Sequence, residues 1–370
     1  MRTYAASDSD LNSPLIQGIE HPVVIYNSGG IGDHLMSLPA LRALAKLWPH
    51  RVTVVCVRGA GPLFFNDIAL LRTEDTTTYY THDGKTGKIT LQVLPGAPTN
   101  GTGLPPASTQ TPDAEWVRWT PWSFDPEAAA QKLGSCDAVF SLTPWHSPAI
   151  DRLCEILRPN LSIGFSSSFS IPLQQAPSRH LADVFFDVPQ SLDSSLRIMD
   201  FVRGTFVPET YRMDALRTRK LVPDEFKVLV AHGETKPDKE WIAERFARTI
   251  DEFLGQHQDY VCFVLGKNSF HLEVKQHRTR VFHCYPLHLC TALALLEHAD
   301  LFIGIDSCML HSADLHGVPG VGLFGPSDAA RTGFRFNHHK HVCGKDMTSI
   351  SEQDVLGALN EIAVFSTRSR

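Results

Sequence analysis

The stretch Ala299–Arg331, ADLFIGIDSCMLHSADLHGVPGVGLFGPSDAAR, constrains the fold more than any other part of the chain. Its apolar run Leu301–Ile305 ends abruptly in polar residues, as a buried parallel strand does before its following helix. The pattern predicts a helix to His316, stopped by Gly317-Val318-Pro319, and then a second apolar strand over 320–324. A strand–helix–strand unit of this kind belongs to a parallel sheet, whose ligands bind beyond the carboxyl ends of the strands. N–H groups at a helix start favour phosphate there. Asp306, Ser307, Cys308, Met309 and His311 stand at this junction, which is therefore a candidate anion site.

A second junction of the same type lies near the start. Strand 22–27 runs into Ser28-Gly29-Gly30-Ile31-Gly32, and Asp33 then opens an amphipathic helix. Glycines at such a turn permit unusual backbone angles and close approach of a ligand. The spacing lacks the Lys-Ser/Thr ending of a P-loop and is not G-x-G-x-x-G. The next strand, 51–57, ends in Arg58 instead of the acid a nicotinamide site needs, which counts against NAD.

The chain has 370 residues, enough for two domains that each bury a core. Residues 1–21 read as a polar lead-in without the apolar stretch of a signal peptide. Residues 22–207 alternate strand and helix: strands 22–27, 51–57, 138–142 and 161–165, and helices 33–47, 61–71, 126–134 and 147–157. Segments 76–82 and 88–94 flank Asp83-Gly84-Lys85-Thr86-Gly87 as a hairpin. Residues 95–124 form a long irregular segment whose Trp116, Trp119 and Trp122 have two readings, stacking on a sugar or pinning the loop, the second being the more ordinary. A helix over 190–204 follows, and the charged, proline-bearing passage 208–224 reads as the interdomain linker. Residues 225–350 alternate again, through strands 226–231, 260–265, 280–284, 301–305 and 320–324 and helices 238–255, 287–298 and 309–316. A last helix over 352–364 is expected to pack back on the first domain. The predicted class is α/β, with two doubly wound Rossmann-like domains facing across a cleft.

Composition narrows the function. A hydrophobic share of 43% with 20% charged residues suits a globular chain, and no apolar run is long enough to span a bilayer. The net charge of −6 argues against nucleic-acid binding. The eight cysteines include no C-x-x-C pair, so they read as reduced thiols and the cytoplasm as the location. The clusters His283, Cys284, His288, Cys290 and His338, His339, His341, Cys343 do not match a structural zinc spacing, and no metal is assigned.

Three segments together resemble glycosyltransferase family 9, the ADP-heptose:lipopolysaccharide heptosyltransferase family. They are the Gly29–Asp33 turn with Leu38-Pro39-Ala40-Leu41-Arg42-Ala43-Leu44, then Lys236-Pro237-Asp238-Lys239-Glu240-Trp241, and Gly304-Ile305-Asp306 through His311 with Leu323-Phe324-Gly325-Pro326-Ser327-Asp328. The resemblance covers roughly residues 22–365 and implies a GT-B fold, with an inverting, metal-independent transfer from a nucleotide diphosphate sugar, ADP-heptose above all. It needs no cofactor beyond that donor, and it could act in lipopolysaccharide biosynthesis with peripheral membrane association. The acceptor could be a glycan, a protein or a small molecule.

Carried over by position, Asp33 would be the general base, with Gly29, Gly30 and Gly32 forming the acceptor-side loop. Lys239 would meet the donor diphosphate, Asp306 would hold the sugar, and Ser307, Cys308, Met309 and His311 would line the phosphate turn. The chain departs from the family pattern in two places. Asp306-Ser307-Cys308 stands where Asp-Thr-Gly is usual, and Gly266-Lys267-Asn268-Ser269 follows strand 260–265 where a base-reading glutamate is usual. Each residue also has an ordinary role: Asp33 as a helix cap, Lys239 as a solvated surface cation, His311 as a helix histidine beside Asp306. Two other functions fit the same motifs, a catalytically silent relative that binds a nucleotide or partner, and a nucleotide-sugar epimerase that needs no acceptor.

Overall fold

A computed structural model describes residues 15–26, 30–48, 51–56, 76–82, 89–95, 126–145, 147–174, 176–207, 209–266, 270–285 and 287–366. The chain divides into two compact units, residues 1–177 with 181–201, and residues 178–180 with 202–370. The expected helix 61–71, the loop 96–124 with its tryptophans, and Gly29 lie outside the described residues.

In the first unit the strands are β1 (Pro22–Tyr26), β2 (Thr53–Cys56), β3 (Thr76–His82), β4 (Ile89–Pro95), β5 (Ala138–Ser141), β6 (Leu161–Gly164) and β7 (Ile171–Pro172). They form one sheet in the order β4-β3-β2-β1-β5-β6-β7, parallel throughout except for the β3–β4 hairpin. Val23, Val24 and Ile25 are buried on both faces, which is why β1 reads as a continuous apolar run. Helices α1 (Ile31–Leu47), α2 (Pro126–Leu133) and α3 (Pro148–Leu157) follow β1, β4 and β5, and α4 (Leu181–Leu192) packs against α1. One core of this unit joins Val23, Ile25 and Val139 to Ala129, Ile150, Leu153 and Phe169.

The second unit has strands β8 (Lys227–His232), β9 (Tyr260–Leu265), β10 (Val281–His283), β11 (Leu301–Ile305), β12 (Gly320–Phe324) and β13 (His339–Cys343) in the order β10-β9-β8-β11-β12-β13, all parallel. The order reverses between β8 and β11, the doubly wound plan whose switch point opens a crevice for ligands. Its helices are α5 (Glu209–Arg219), α6 (Ala243–Gln256), α7 (Leu289–Leu295), α8 (Cys308–His316), α9 (Ala329–Thr332) and α10 (Glu352–Ala363). Alternate strand residues Leu229, Ala231, Cys262, Val264, Ile303, Ile305, Val321 and Leu323 form one face, covered by Phe246, Ile250 and Phe253 of α6 and Val355, Leu359 and Ile362 of α10. The intervening Val228, Val230, Phe263 and Phe302 are equally buried, so helices cover both faces.

Five expectations are corrected. Residues 208–224 are not an extended linker. Residues 209–219 are helix α5, tied in by Arg212, which pairs with Glu297 at 2.7 Å, and by buried Arg219, which donates to the carbonyls of Val222 and Phe226. Its polar surface hid it. The helix placed at 190–204 runs instead over 181–192, because the buried face Leu181, Val184, Phe185 and Val188 sets it and Pro189 is tolerated near its end; a single 3₁₀ turn follows at Ile198–Phe201. The last helix, expected on the first domain, belongs to the second unit and packs on α6 and the sheet there. Residues 15–21 are more than a frayed lead-in: Ile16 and Ile19 are buried, and the Asp137 carboxylate accepts the N–H groups of Glu20 and His21 at 2.9 and 2.8 Å. Strand β13, taken as a histidine cluster, pairs in register with β12.

Two measurements test this architecture. Leu359→Ala removes a fully buried contact of α10 and is expected to lower the unfolding free energy by about 2–5 kcal/mol in urea titration; no loss would place α10 outside the core. The second concerns protons. Burial lowers the pKa of His232, His283, His311 and His341, the last two to about 4 from 6.5. Between those values the unfolded chain binds protons that the folded chain does not, so stability falls as pH falls from 6.5 towards 4. Asp314, pushed up to about 6 by burial, acts the opposite way but is one group against four. The urea midpoint at pH 5 is expected below that at pH 7, and an equal or higher midpoint would refute the buried neutral histidines.

Candidate functional site

The carboxyl ends of β8 and β11 are neighbours, paired through His232 and Gly304. Close approach at this point requires glycine: a Cβ at Gly304 would stand 2.8 Å from the His232 carbonyl oxygen and 2.5 Å from the Phe302 ring. Beyond β8 the chain turns through Pro237–Lys239, a single 3₁₀ turn closed by the bond from Lys239 N–H to Lys236 O at 2.9 Å. Glu240 accepts the Thr235 N–H at 3.0 Å, and buried Trp241 meets Phe246 edge-on and donates to the Ile350 carbonyl at 3.3 Å. This anchoring explains the Lys-x-Trp spacing. The tryptophan fixes the end of the turn, and the turn aims Lys239 at the switch point.

Beyond β11 the chain enters Asp306, whose side chain is 9% exposed and lies 2.5 Å from Lys239 Nζ, itself 27% exposed. Burial pushes the Asp306 carboxyl up, but His311 and Lys239 outweigh it and hold the pKa below the ordinary carboxylate value. His311 Nε2 is 3.9 Å from Asp306 Oδ1, an electrostatic neighbour beyond hydrogen-bond distance. Burial brings His311 to about 4, with Asp306 opposing and His180 and Lys239 assisting, so at neutral pH the site holds Lys⁺, Asp⁻ and a neutral imidazole.

Ser307, in extended conformation, is the residue before α8, yet its hydroxyl makes no capping bond; its Oγ is buried and has no partner among the described residues. Cys308 stands in the first turn of α8, where burial pushes its thiol up to about 11 although the N–H groups of Cys308 and Met309 pull it down. It is therefore a neutral thiol folded onto the helix start, not a nucleophile. Met309 is buried. The far end of α8 closes at Gly317, with φ of 84°, under the guanidinium of Arg203, which donates to the carbonyls of Asp314 and Leu315 at 2.8 Å each.

The second unit thus brings together Lys239, Asp306, Ser307, Cys308, Met309 and His311. His180 was missed by sequence reasoning. Its Nε2 lies 2.9 Å from the Gly333 carbonyl, and it acts electrostatically on His311 across 131 positions of sequence, a separation that leaves no local signal. The two histidine–cysteine clusters are built of stacked rings, His271 on His283 and His339 on His341, and among the described residues no group of three or more His, Cys, Asp or Glu is placed to hold a metal ion.

In the first unit, Asp33 lies in the first turn of α1, beyond β1 and beside the switch point between β1 and β5. Its Oδ2 accepts the Gly30 N–H at 3.0 Å. The helix-cap role is realised, and it also holds a partly exposed carboxylate at the end of the central strand. His34 Nδ1 lies 2.8 Å from the Gly30 carbonyl, so both polar groups of Gly30 are engaged, and Gly32 continues the same turn into the helix.

The model of glycosyltransferase family 9 (heptosyltransferase) matches residues 144–359. The lipopolysaccharide core heptosyltransferase OpsX of Haemophilus influenzae is 22% identical over 191 residues, 46% of this chain and 55% of that protein, so the chain spans about half the length of this curated relative. Among solved structures, the glycosyl transferase family 9 protein of Veillonella parvula superposes with a TM-score of 0.66 at 18% identity, covering 98% of this chain and 99% of the other. ADP-heptose LPS heptosyltransferase II of E. coli gives 0.60 at 12% identity, covering 93% and 98%. E. coli heptosyltransferase WaaC with ADP gives 0.56 at 13%, covering 93% and 99%. The two parallel sheets are those of the GT-B fold. With the family model spanning more than half its length, the chain belongs to glycosyltransferase family 9.

Proposed function

We propose that this protein is an inverting, metal-independent glycosyltransferase that transfers heptose from ADP-heptose to a glycan, protein or small-molecule acceptor, in the cytoplasm. The observation that carries the reading is the Lys239–Asp306 pair at the switch point of the second unit's parallel sheet, with the start of α8 beside it. The solved relatives include an ADP-heptose LPS heptosyltransferase and WaaC with ADP, and OpsX is named for the lipopolysaccharide core, so a lipopolysaccharide core sugar is the first acceptor to try. No helix among the described residues is long and apolar enough to cross a membrane.

In the transfer, the bond from the donor's anomeric carbon to the diphosphate breaks through an oxocarbenium-like state while the acceptor oxygen bonds to that carbon. Asp33 takes the acceptor's proton. Charge then grows on the departing diphosphate. Lys239 and the N–H groups of the turn leading to His311 are suited to receive it, doing the work a divalent cation would otherwise do. Asp306 holds Lys239 in position and contacts the transferred sugar. The neutral His311 packs behind Asp306 without adding a second positive charge.

Calorimetric titration with ADP, GDP and UDP is the first test. ADP is expected to bind tightest, and Lys239→Ala to weaken it by roughly 10–100-fold, the scale of a charge-assisted contact; tighter binding of GDP or UDP would redirect the donor, and no binding of any would reject the reading. Asp33→Asn is expected to leave ADP affinity intact while transfer falls by roughly 10²–10⁴-fold. Near-full turnover in that variant would remove Asp33 from the role of base. Consumption of ADP-heptose without acceptor, giving an epimer instead of a glycoside, would show a different reaction.

A further inference from the structure

A nucleotide bound at the switch point of a parallel sheet extends its nucleoside over the neighbouring strand, where a carboxylate commonly accepts hydrogen bonds from the ribose hydroxyls. In the second unit that strand is β9. It ends at Leu265 and Gly266, and no acid stands there.

The space is nonetheless filled by a carboxylate from the loop after another strand. A Cβ built on Gly266 would lie 3.1 Å from Glu234 Oε2 and 3.0 Å from Phe270 Cβ. Gly266 is therefore the gap in which the Glu234 carboxylate lies. Glu234 follows the end of β8 by two residues and is half-buried. Two features aim it towards β9. Gly233 is packed so closely under the rings of Phe270 and Phe246 that it has no room for a side chain. His232 Nδ1 lies 3.0 Å from the Leu265 carbonyl, which can only accept, so the ring donates and pins the ends of β8 and β9 together.

The same loop carries Lys239 five residues later, paired with Asp306 beyond β11 on the opposite side of β8. One connection thus presents a hydrogen-bond acceptor on the β9 side and a cation on the β11 side. That polarity matches a nucleoside diphosphate, with hydroxyl donors at one end and phosphate at the other.

We propose that Glu234 reads the ribose of the donor nucleotide, its carboxylate accepting hydrogen bonds from the sugar hydroxyls. The inference rests on the donor reading above and adds to it the residue that tells a nucleoside diphosphate from bare diphosphate.

The experiment is calorimetry on the full chain with whichever of ADP, GDP or UDP binds, its 2′-deoxy analogue, and inorganic pyrophosphate. The wild-type protein is expected to bind the ribonucleotide roughly 10-fold tighter than the deoxy form, and Glu234→Gln to lose roughly that factor and the discrimination together, with pyrophosphate affinity unchanged. Gly266→Ala, whose methyl group would stand 3.1 Å from the carboxylate and 3.0 Å from Phe270 Cβ, crowds the acid and is expected to weaken the discrimination in the same direction. A Glu234→Gln protein that keeps wild-type affinity and discrimination overturns the role of Glu234 while leaving the donor reading intact. A wild-type protein that binds none of the three nucleotides overturns both.

Discussion

The buried Asp306 carboxylate, at the mouth of a fully buried strand, is the constraint around which the second unit is arranged. A buried charge is costly unless it is paired and hydrogen-bonded. Lys239 meets that need, and the demand propagates. The lysine must leave solvent, so its turn is closed by Glu240 and anchored by Trp241, which in turn docks on the carbonyl of Ile350 just before α10. His311 shares the pocket and stays neutral, because a second cation in the same low-dielectric space would be opposed by burial and by Lys239. Removing either partner would leave an uncompensated charge beside the start of α8.

The two units solve the same problem with different residues. In each, the central strand is apolar on both faces, its carboxyl end lies beside a strand that continues the sheet in the other direction, and a carboxylate stands in the opening. In the first unit that group is Asp33, fixed by a backbone N–H and still partly exposed. In the second it is Asp306, fixed by a cation and buried. The difference suits their proposed work. A group that takes a proton from an incoming hydroxyl has to be reachable, whereas a group that orients a phosphate-binding lysine has to be rigid.

Legibility in the sequence followed how local each signal was. Strands buried on both faces, such as YVCFVL at 260–265 and LFIGI at 301–305, were read within a residue or two because a short apolar run bounded by polar residues has few other folds. Asp306 stands out because it directly follows such a strand, whereas Asp33 and Lys239 are singled out only by the motifs that resemble glycosyltransferase family 9, and their roles are proposals. Helix α5 was not, since its surface is polar and its fixing partners, Glu297 and the carbonyls beyond Arg219, are decided by the folded chain. The C-terminal helix is legible as a helix, but the unit that covers it is not. Its apolar stripe specifies that it must be covered, and not by what. His180 and Glu234 give no signal at all: one acts over 131 positions, and the other fills the space left by a glycine just beyond a different strand.

The sequence alone determined the alternation of strands and helices, the parallel sheets and the residue types waiting at the strand ends, because these depend on hydrophobic period and on turn chemistry within about ten residues. Tertiary structure decided strand order, the side of the switch point on which each loop falls, the pairing of Lys239 with Asp306 across 67 positions, and the unit to which α10 belongs. Those outcomes depend on which apolar faces meet and which charges are buried together, and such quantities exist only once distant segments are in contact.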